Sequence, residues 1–150
     1  MTLSTSHVFT LTVDIAEPVD AGSIPTGHRR IIPITGGRVD GPELHGDVLP
    51  GGADWNTAAP DGTIHVWARY DFRTSDGGIV GVVNEGSHTP DGPLDPGSAG
   101  PSSVAIVTKP TFEASAGAPA WLNTDTFAGI LRPLTPTQVS IEVYRLHPKP

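Results

Sequence analysis

The chain has no cysteine among its 150 residues. That excludes disulfides and removes the thiolate as nucleophile and as metal ligand. Charge is sparse: nine Lys and Arg stand against sixteen Asp and Glu, for a net charge of −7. A nucleic-acid partner needs a basic face, and neither this balance nor any polybasic run supplies one. The same scarcity argues against an anionic membrane surface. No apolar run approaches membrane-spanning length, and the opening MTLSTSHVFT lacks the basic and apolar regions of a secretory signal, so a cytoplasmic location is expected. No stretch carries a sustained apolar pattern of period 3.6, which leaves little room for helix.

Glycine (18) and proline (16), by contrast, are plentiful, and hydrophobic residues at 37% remain enough to pack one core. The chain is therefore expected to be one domain, 1–150, rich in turns. The stretch from Arg29 to Trp55 sets the pattern. Short apolar runs (Ile31, Ile32, Ile34, Val39, Leu44, Val48, Leu49) alternate with glycines that let strands bend through tight corners. It ends in a loop that delivers Asp54 and Trp55. An acid beside an indole suits chemistry; it equally suits a turn aspartate and a tryptophan that plugs a core.

Alternation marks strands elsewhere. In residues 7–15, Phe9, Leu11, Val13 and Ile15 share one face. EPVDAGSIPTG reads as a turn-rich connection, and APDG at 59–62 as a turn. In IHVWARYDFRT, Ile64, Val66, Ala68, Tyr70 and Phe72 face one way, and His65, Trp67, Arg69, Asp71 and Arg73 the other. SDGG at 75–78 predicts a hairpin to IVGVVNEG. Residues 86–103 hold one large apolar residue, Leu94, and read as a mobile loop, either a lid or a disordered insertion. VAIVTK is expected to be a strand stopped by Pro110, WLNTDTFAGI and QVSIEVYRLH two more, and HPKP a frayed tail. About eight to ten short strands result. A small closed or nearly closed antiparallel β-barrel handles their edges best, with a two-sheet sandwich as the alternative.

Motifs for known chemistry are missing: no phosphate loop, no GxGxxG between strand and helix, no serine elbow, no HxH or HExxH. No metal and no cofactor is therefore expected. What remains is a set of polar residues in apolar strands, with Arg69 and Asp71 on one face, Asn84 on the hairpin partner and Asn123 beside Trp121. An arginine in a barrel mouth would hold a carboxylate, phenolate or enolate. The other reading makes His65 to Arg73 a solvent-facing stripe of cross-strand ion pairs.

Several motifs in one order, PITGGRVDGPELHGDVLPGGADW, ARYDFRTSDGGIVGVVNEG and KPTFEASAGAPAWLN, resemble the domain of unknown function 3237 family, also called UPF0311. The resemblance runs from Phe9 to Tyr144. It implies a small all-β barrel related in shape to calycins, and it implies no particular catalytic mechanism. The family pattern falls on Gly51, Gly52, Asp54, Trp55, Arg69, Tyr70, Asp76, Gly77, Asn84, Gly86, Phe112, Glu113, Trp121, Leu122 and Asn123. Trp67, His88, Val104-Ala105-Ile106 and Pro119 depart from it, which points to a substrate of its own.

By elimination, the expected activity is cofactor-free proton-transfer chemistry: an isomerisation, cyclisation or lyase step on an apolar, oxygenated molecule of secondary metabolism or aromatic breakdown. Asp54 would be the base, Arg69 the oxyanion donor and His88 a proton shuttle. Trp55, Tyr70, Asn84, Trp121 and Asn123 would bind the substrate, with Trp55 and Trp121 as the apolar wall. The alternative is a non-catalytic carrier with the same pocket, as in lipocalins. The expected partner is a small molecule, with neither nucleic acid nor membrane; a homodimer is compatible with the sequence.

Overall fold

A computed structural model describes residues 2–89 and 105–149. Those residues form ten strands and one helical turn: β1 (Thr2–Ile15), β2 (Val19–Ile24), β3 (Gly27–Asp40), β4 (His45–Val48), β5 (Ala53–Ala58), β6 (Ile64–Thr74), β7 (Ile79–His88), β8 (Ile106–Ala114), α1 (Trp121–Thr124), β9 (Phe127–Thr135) and β10 (Gln138–Lys149). All pairings are antiparallel. They run from β1 through β10, β9, β8 and β7 to β6, which pairs with both β4 and β5. Those two lie end to end along β3, and β3 returns to β1 by pairing Ile34–Asp40 with Thr10–Ile15. The sheet thus closes on itself as a barrel, which removes most of its edges. β2 continues the line of β1 along the first half of β3.

The strands follow from the side chains. On β6, Val66, Ala68, Tyr70, Phe72 and Thr74 are buried, while Trp67 and Arg73 are exposed, so the period-two pattern reads through directly. The SDGG turn carries Gly77 at φ 94°, which an L side chain rarely adopts. Gly37 lets β3 bend against β1: its φ is 137°, and a Cβ there would collide with the Thr12 carbonyl.

The barrel is filled differently at its two ends. One end is plugged by aromatics: Phe9, Phe72, Phe112, Phe127 and Trp121, with ring centroids 5.2 to 6.4 Å apart. The Arg145 guanidinium lies 4.2 Å over the Trp121 ring. The other end is lined by aliphatic side chains and is hollow.

Several expectations need correction. EPVDAGSIPTG is not only a connection, since β2 forms within it on the free edge of β3. Pro110 does not stop β8. Beyond Thr108 that strand has lost its β9 partner, and one-sided pairing tolerates a residue without an N–H. Trp121–Thr124 is a helical turn and the strand begins at Phe127. There the Asn123 side chain clamps the Ala114 backbone, donating to its carbonyl at 3.0 Å and accepting from its N–H at 2.7 Å. The HPKP tail pairs with β1 as far as Thr2–Lys149, because the long β1 offers it a ladder. Gly86, Ser87 and His88 belong to β7 rather than to a loop. The rest of the expected lid, from 90 onward, lies outside the described residues.

Candidate functional site

The hollow end encloses a cavity of about 400 Å³. Its walls are largely aliphatic, with Val13, Ile32, Ile34, Val66, Leu131 and Ile141 contributed by five different strands. Pro18, Pro133 and Pro136 lie at the end where the β1–β10 ladder stops at Asp14–Gln138. The cavity lies in the barrel interior. Six polar side chains line it as well: Arg30, Asp54, Asn56, Tyr70, Asn84 and, beside the prolines, Thr135.

The register explains how they converge. Asp54 on β5 stands opposite Ala68 on β6, and Ala68 stands opposite Asn84 on β7. Three cross-strand neighbours thus form one row, a carboxylate and an amide on either side of a methyl group. Tyr70 is the next inward residue along β6. Arg30 on β3 pairs with Asn56 on β5, one step along the barrel from the Ile32–Asp54 pair.

Asp54 is held by a chain of donors. Its Oδ1 accepts from the Trp67 backbone N–H at 3.0 Å, and its Oδ2 from Asn56 Nδ2 at 3.2 Å. Asn56 Oδ1 in turn accepts from Arg30 Nη2 at 2.9 Å. Burial in the apolar wall raises the Asp54 pKa above its ordinary value of 3.8. The two hydrogen bonds and the Arg30 and His65 charges pull the other way with less effect. Burial likewise pushes the Tyr70 phenol far up, so it stays protonated and able to donate. Among the described residues, the Tyr70 hydroxyl and Asn84 Oδ1 have no hydrogen-bond partner, and neither does Arg30 Nε.

Of the residues expected at the site, Asp54, Tyr70 and Asn84 line the cavity. Arg69 does not. Because strand faces alternate, it points away from Ala68 to the outer surface. There it donates to the Tyr70 carbonyl at 2.7 Å and meets Asp71 at 3.3 Å, in a shallow groove with Glu113 and Ser115. The expected Asp54–Arg69 partnership is therefore replaced by Asp54–Asn56–Arg30. The reading of the outer stripe as solvent-facing is the one the geometry supports: Arg69 pairs with Asp71, and His65 lies 3.5 Å from Glu85. Trp55 is also outside, packed edge-on against Trp67 at 5.9 Å. Trp121 belongs to the aromatic plug, and Asn123 clamps Ala114, so the cavity wall is aliphatic where tryptophans were expected. His88 pairs with Ile64 at the end of β7 and is not among the lining residues. Since it shares the face of Ile64, it lies on the opposite face from His65. Sequence reasoning missed Arg30 and Asn56. The signal was present as period two: Arg30, Ile32 and Ile34 share a face, as do Asp54 and Asn56.

Fold and cavity together define a small antiparallel β-barrel with an internal, largely aliphatic chamber into whose wall the half-buried Asp54 carboxylate is set. A family model described as Protein of unknown function (DUF3237) matches residues 3–146, and the chain belongs to that family. A UPF0311 protein from Rhodopseudomonas palustris (strain TIE-1) is 39% identical over 135 residues, 85% of this chain and 87% of that one. The crystal structure of a protein with unknown function from Clostridium acetobutylicum superposes with a TM-score of 0.88 at 30% identity, covering 98% of this chain and 99% of that one. A protein from Penicillium herquei, described as an enzyme, has a TM-score of 0.70 at 20% identity over 98% of this chain and 96% of its own. At that distance the likeness concerns the fold alone.

Proposed function

We propose that this protein is an enzyme that transfers a proton on an apolar, oxygenated small molecule inside the barrel, with no cofactor. The observation that carries the reading is Asp54, a carboxylate in the wall of a largely aliphatic chamber. Its pKa is moved upward, toward the range in which a carboxylate is an effective general base. Desolvating a carboxylate is costly, so a catalytic duty explains the half-buried Asp54 better than packing does.

In this reading the Asp54 carboxylate takes a proton from a carbon next to a carbonyl. The C–H electron pair becomes a carbon–carbon double bond, and the carbonyl π pair moves to oxygen. The Tyr70 hydroxyl donates to that oxygen, the part once expected of Arg69. Return of the proton from Asp54 to another carbon completes an isomerisation, and departure of a β-substituent with its electron pair, as the carbonyl re-forms, completes a lyase step. In a cyclisation Asp54 instead takes the proton of a substrate hydroxyl, whose oxygen adds to the β-carbon of an enone; the alkene pair moves through to the carbonyl oxygen, and Asp54 then returns the proton to the α-carbon. Asn56 and Arg30 hold the carboxylate in place. The likeness in fold to a protein described as an enzyme is compatible with this.

A second reading, a carrier with the same chamber, is favoured by one observation: both oxygens of Asp54 already accept hydrogen bonds from the protein. Asp54→Asn separates the two. Exchange of α-protons of cyclic ketones in D₂O, followed by NMR, is expected with the native chain and to fall on the order of 10²-fold or more in Asp54→Asn, the usual contribution of a positioned base. Exchange that is equal in both proteins removes Asp54 as the base. Binding without any exchange leaves the carrier.

A further inference from the structure

The chamber contains two polar atoms that neither the base nor its support uses. Tyr70 is 2% exposed and Asn84 is 1% exposed; both line the cavity, and among the described residues the Tyr70 hydroxyl and Asn84 Oδ1 have no hydrogen-bond partner. Leaving one such group unpaired costs about 1–3 kcal/mol, so two in one wall call for a reason. Their chemistry is complementary. The Asn84 oxygen only accepts, so it suits a group that donates, such as a hydroxyl. The Tyr70 phenol, kept neutral by burial, suits a group that accepts, such as a carbonyl oxygen.

Their placement is equally specific. Asn84 and Asp54 flank Ala68 in one cross-strand row, and neighbouring strands lie about 4.8 Å apart, so the two backbones stand about 10 Å apart. Ala68 between them projects only a methyl group, which leaves a slot. Tyr70 follows Ala68 by two residues on the same strand face, about 7 Å along. A flat molecule lying over Ala68 therefore meets an acceptor on one side, a carboxylate on the other and a phenol at one end. Most of the remaining lining, including Val66, Ile106 and Leu131, is aliphatic.

We infer that the chamber is built for a hydroxy-substituted cyclic ketone, whose carbonyl accepts from Tyr70 and whose hydroxyl donates to Asn84, across Ala68. The inference rests on the proposed catalytic reading, for which it names the substrate class. The carbonyl at Tyr70 would leave an α-carbon facing Asp54, and the distant hydroxyl sets which face of the ring is presented. Arg30, at the supporting end of the Asp54 chain, is not needed for either contact.

Four bicyclic probes of one shape test it by calorimetric titration of the full chain: 6-hydroxy-1-tetralone, 1-tetralone, 5,6,7,8-tetrahydro-2-naphthol and tetralin. α-Proton exchange returns each ketone to itself, so the native protein can be titrated. The hydroxyketone should bind tightest, and deletion of either oxygen should weaken binding about three- to tenfold, the range of one net hydrogen bond. Tyr70→Phe should weaken only the two ketones, and Asn84→Leu only the two hydroxyl compounds, by the same factor. The ligand series itself needs no variant, so a poorly folding Asn84→Leu leaves the proposal exposed to refutation. Equal affinity for all four probes overturns it, as does the absence of saturable binding of the hydroxyketone at millimolar concentration. Tyr70→Phe weakening tetralin as much as 1-tetralone also overturns it. A flat affinity series with exchange still lost in Asp54→Asn removes this substrate class and leaves the base in place. The expected series without any exchange removes the base and leaves a binding site for hydroxyketones.

Discussion

Ala68→Leu sets the chamber against the fold. Ala68 is buried at 6% exposure, and its methyl group lies between Asp54 and Asn84 on the cavity wall. A leucine there adds three carbons directed into open space rather than into the aromatic plug. Burying three methylene equivalents stabilises by about 0.8 kcal/mol each, up to about 2.4 kcal/mol. Ordering the new side chain costs about 0.5–1 kcal/mol. The net gain is about 1.5 kcal/mol, and a domain of this size shifts in Tm by about 2–4 °C per kcal/mol. A reversible thermal melt should therefore rise by about 3–6 °C. The same leucine fills the slot over which a flat substrate would lie, so binding and α-proton exchange should both be lost while the fold becomes firmer. That opposition is expected where a functional cavity is kept open at the expense of stability. A lowered Tm with ligand binding intact would falsify the reasoning, since it would mean that position 68 is tightly packed and that the ligand binds elsewhere.

Two further predictions bear on the polar residues. Asp54 has its folded-state pKa raised by burial, so between the ordinary carboxylate value and that raised value the folded chain binds more protons than the unfolded one, and stability falls as pH rises through the interval. The native chain should therefore lose Tm relative to Asp54→Asn on going from acid to neutral pH, whatever the constant offset between them; parallel Tm–pH curves would show that Asp54 is not desolvated. Arg69→Met removes an exposed pair on the outer surface, so α-proton exchange should stay within about twofold and stability within about 1 kcal/mol. A hundredfold loss of exchange would return Arg69 to the site.

Much of the barrel was legible because strand faces are a local property. The β6 alternation put Tyr70 and Ala68 on one face and Arg69 and Trp67 on the other, although Arg69 was expected in the pocket, and the SDGG turn set the hairpin partner. The reading faltered where partners, rather than propensities, decide. β2 and the C-terminal end of β10 look like connection and tail, and become strands because β3 and β1 offer them unpaired backbone. Trp121 and Asn123 read as strand and site; a side-chain clamp on Ala114, thirty residues from any cavity residue of β7, holds them in a helical turn instead.

The candidate site divides along the same line. By itself the sequence determined that the chain is all-β, lacks thiol chemistry, and carries an acid, Asp54, just behind two glycines, since composition and period two depend only on neighbouring residues. Only the tertiary structure decided which polar groups share a chamber. Asp54 meets Asn84 through Ala68, and Arg30 through Asn56, because register aligns strands far apart in the chain; a shift by one residue would turn every one of these side chains to the opposite face.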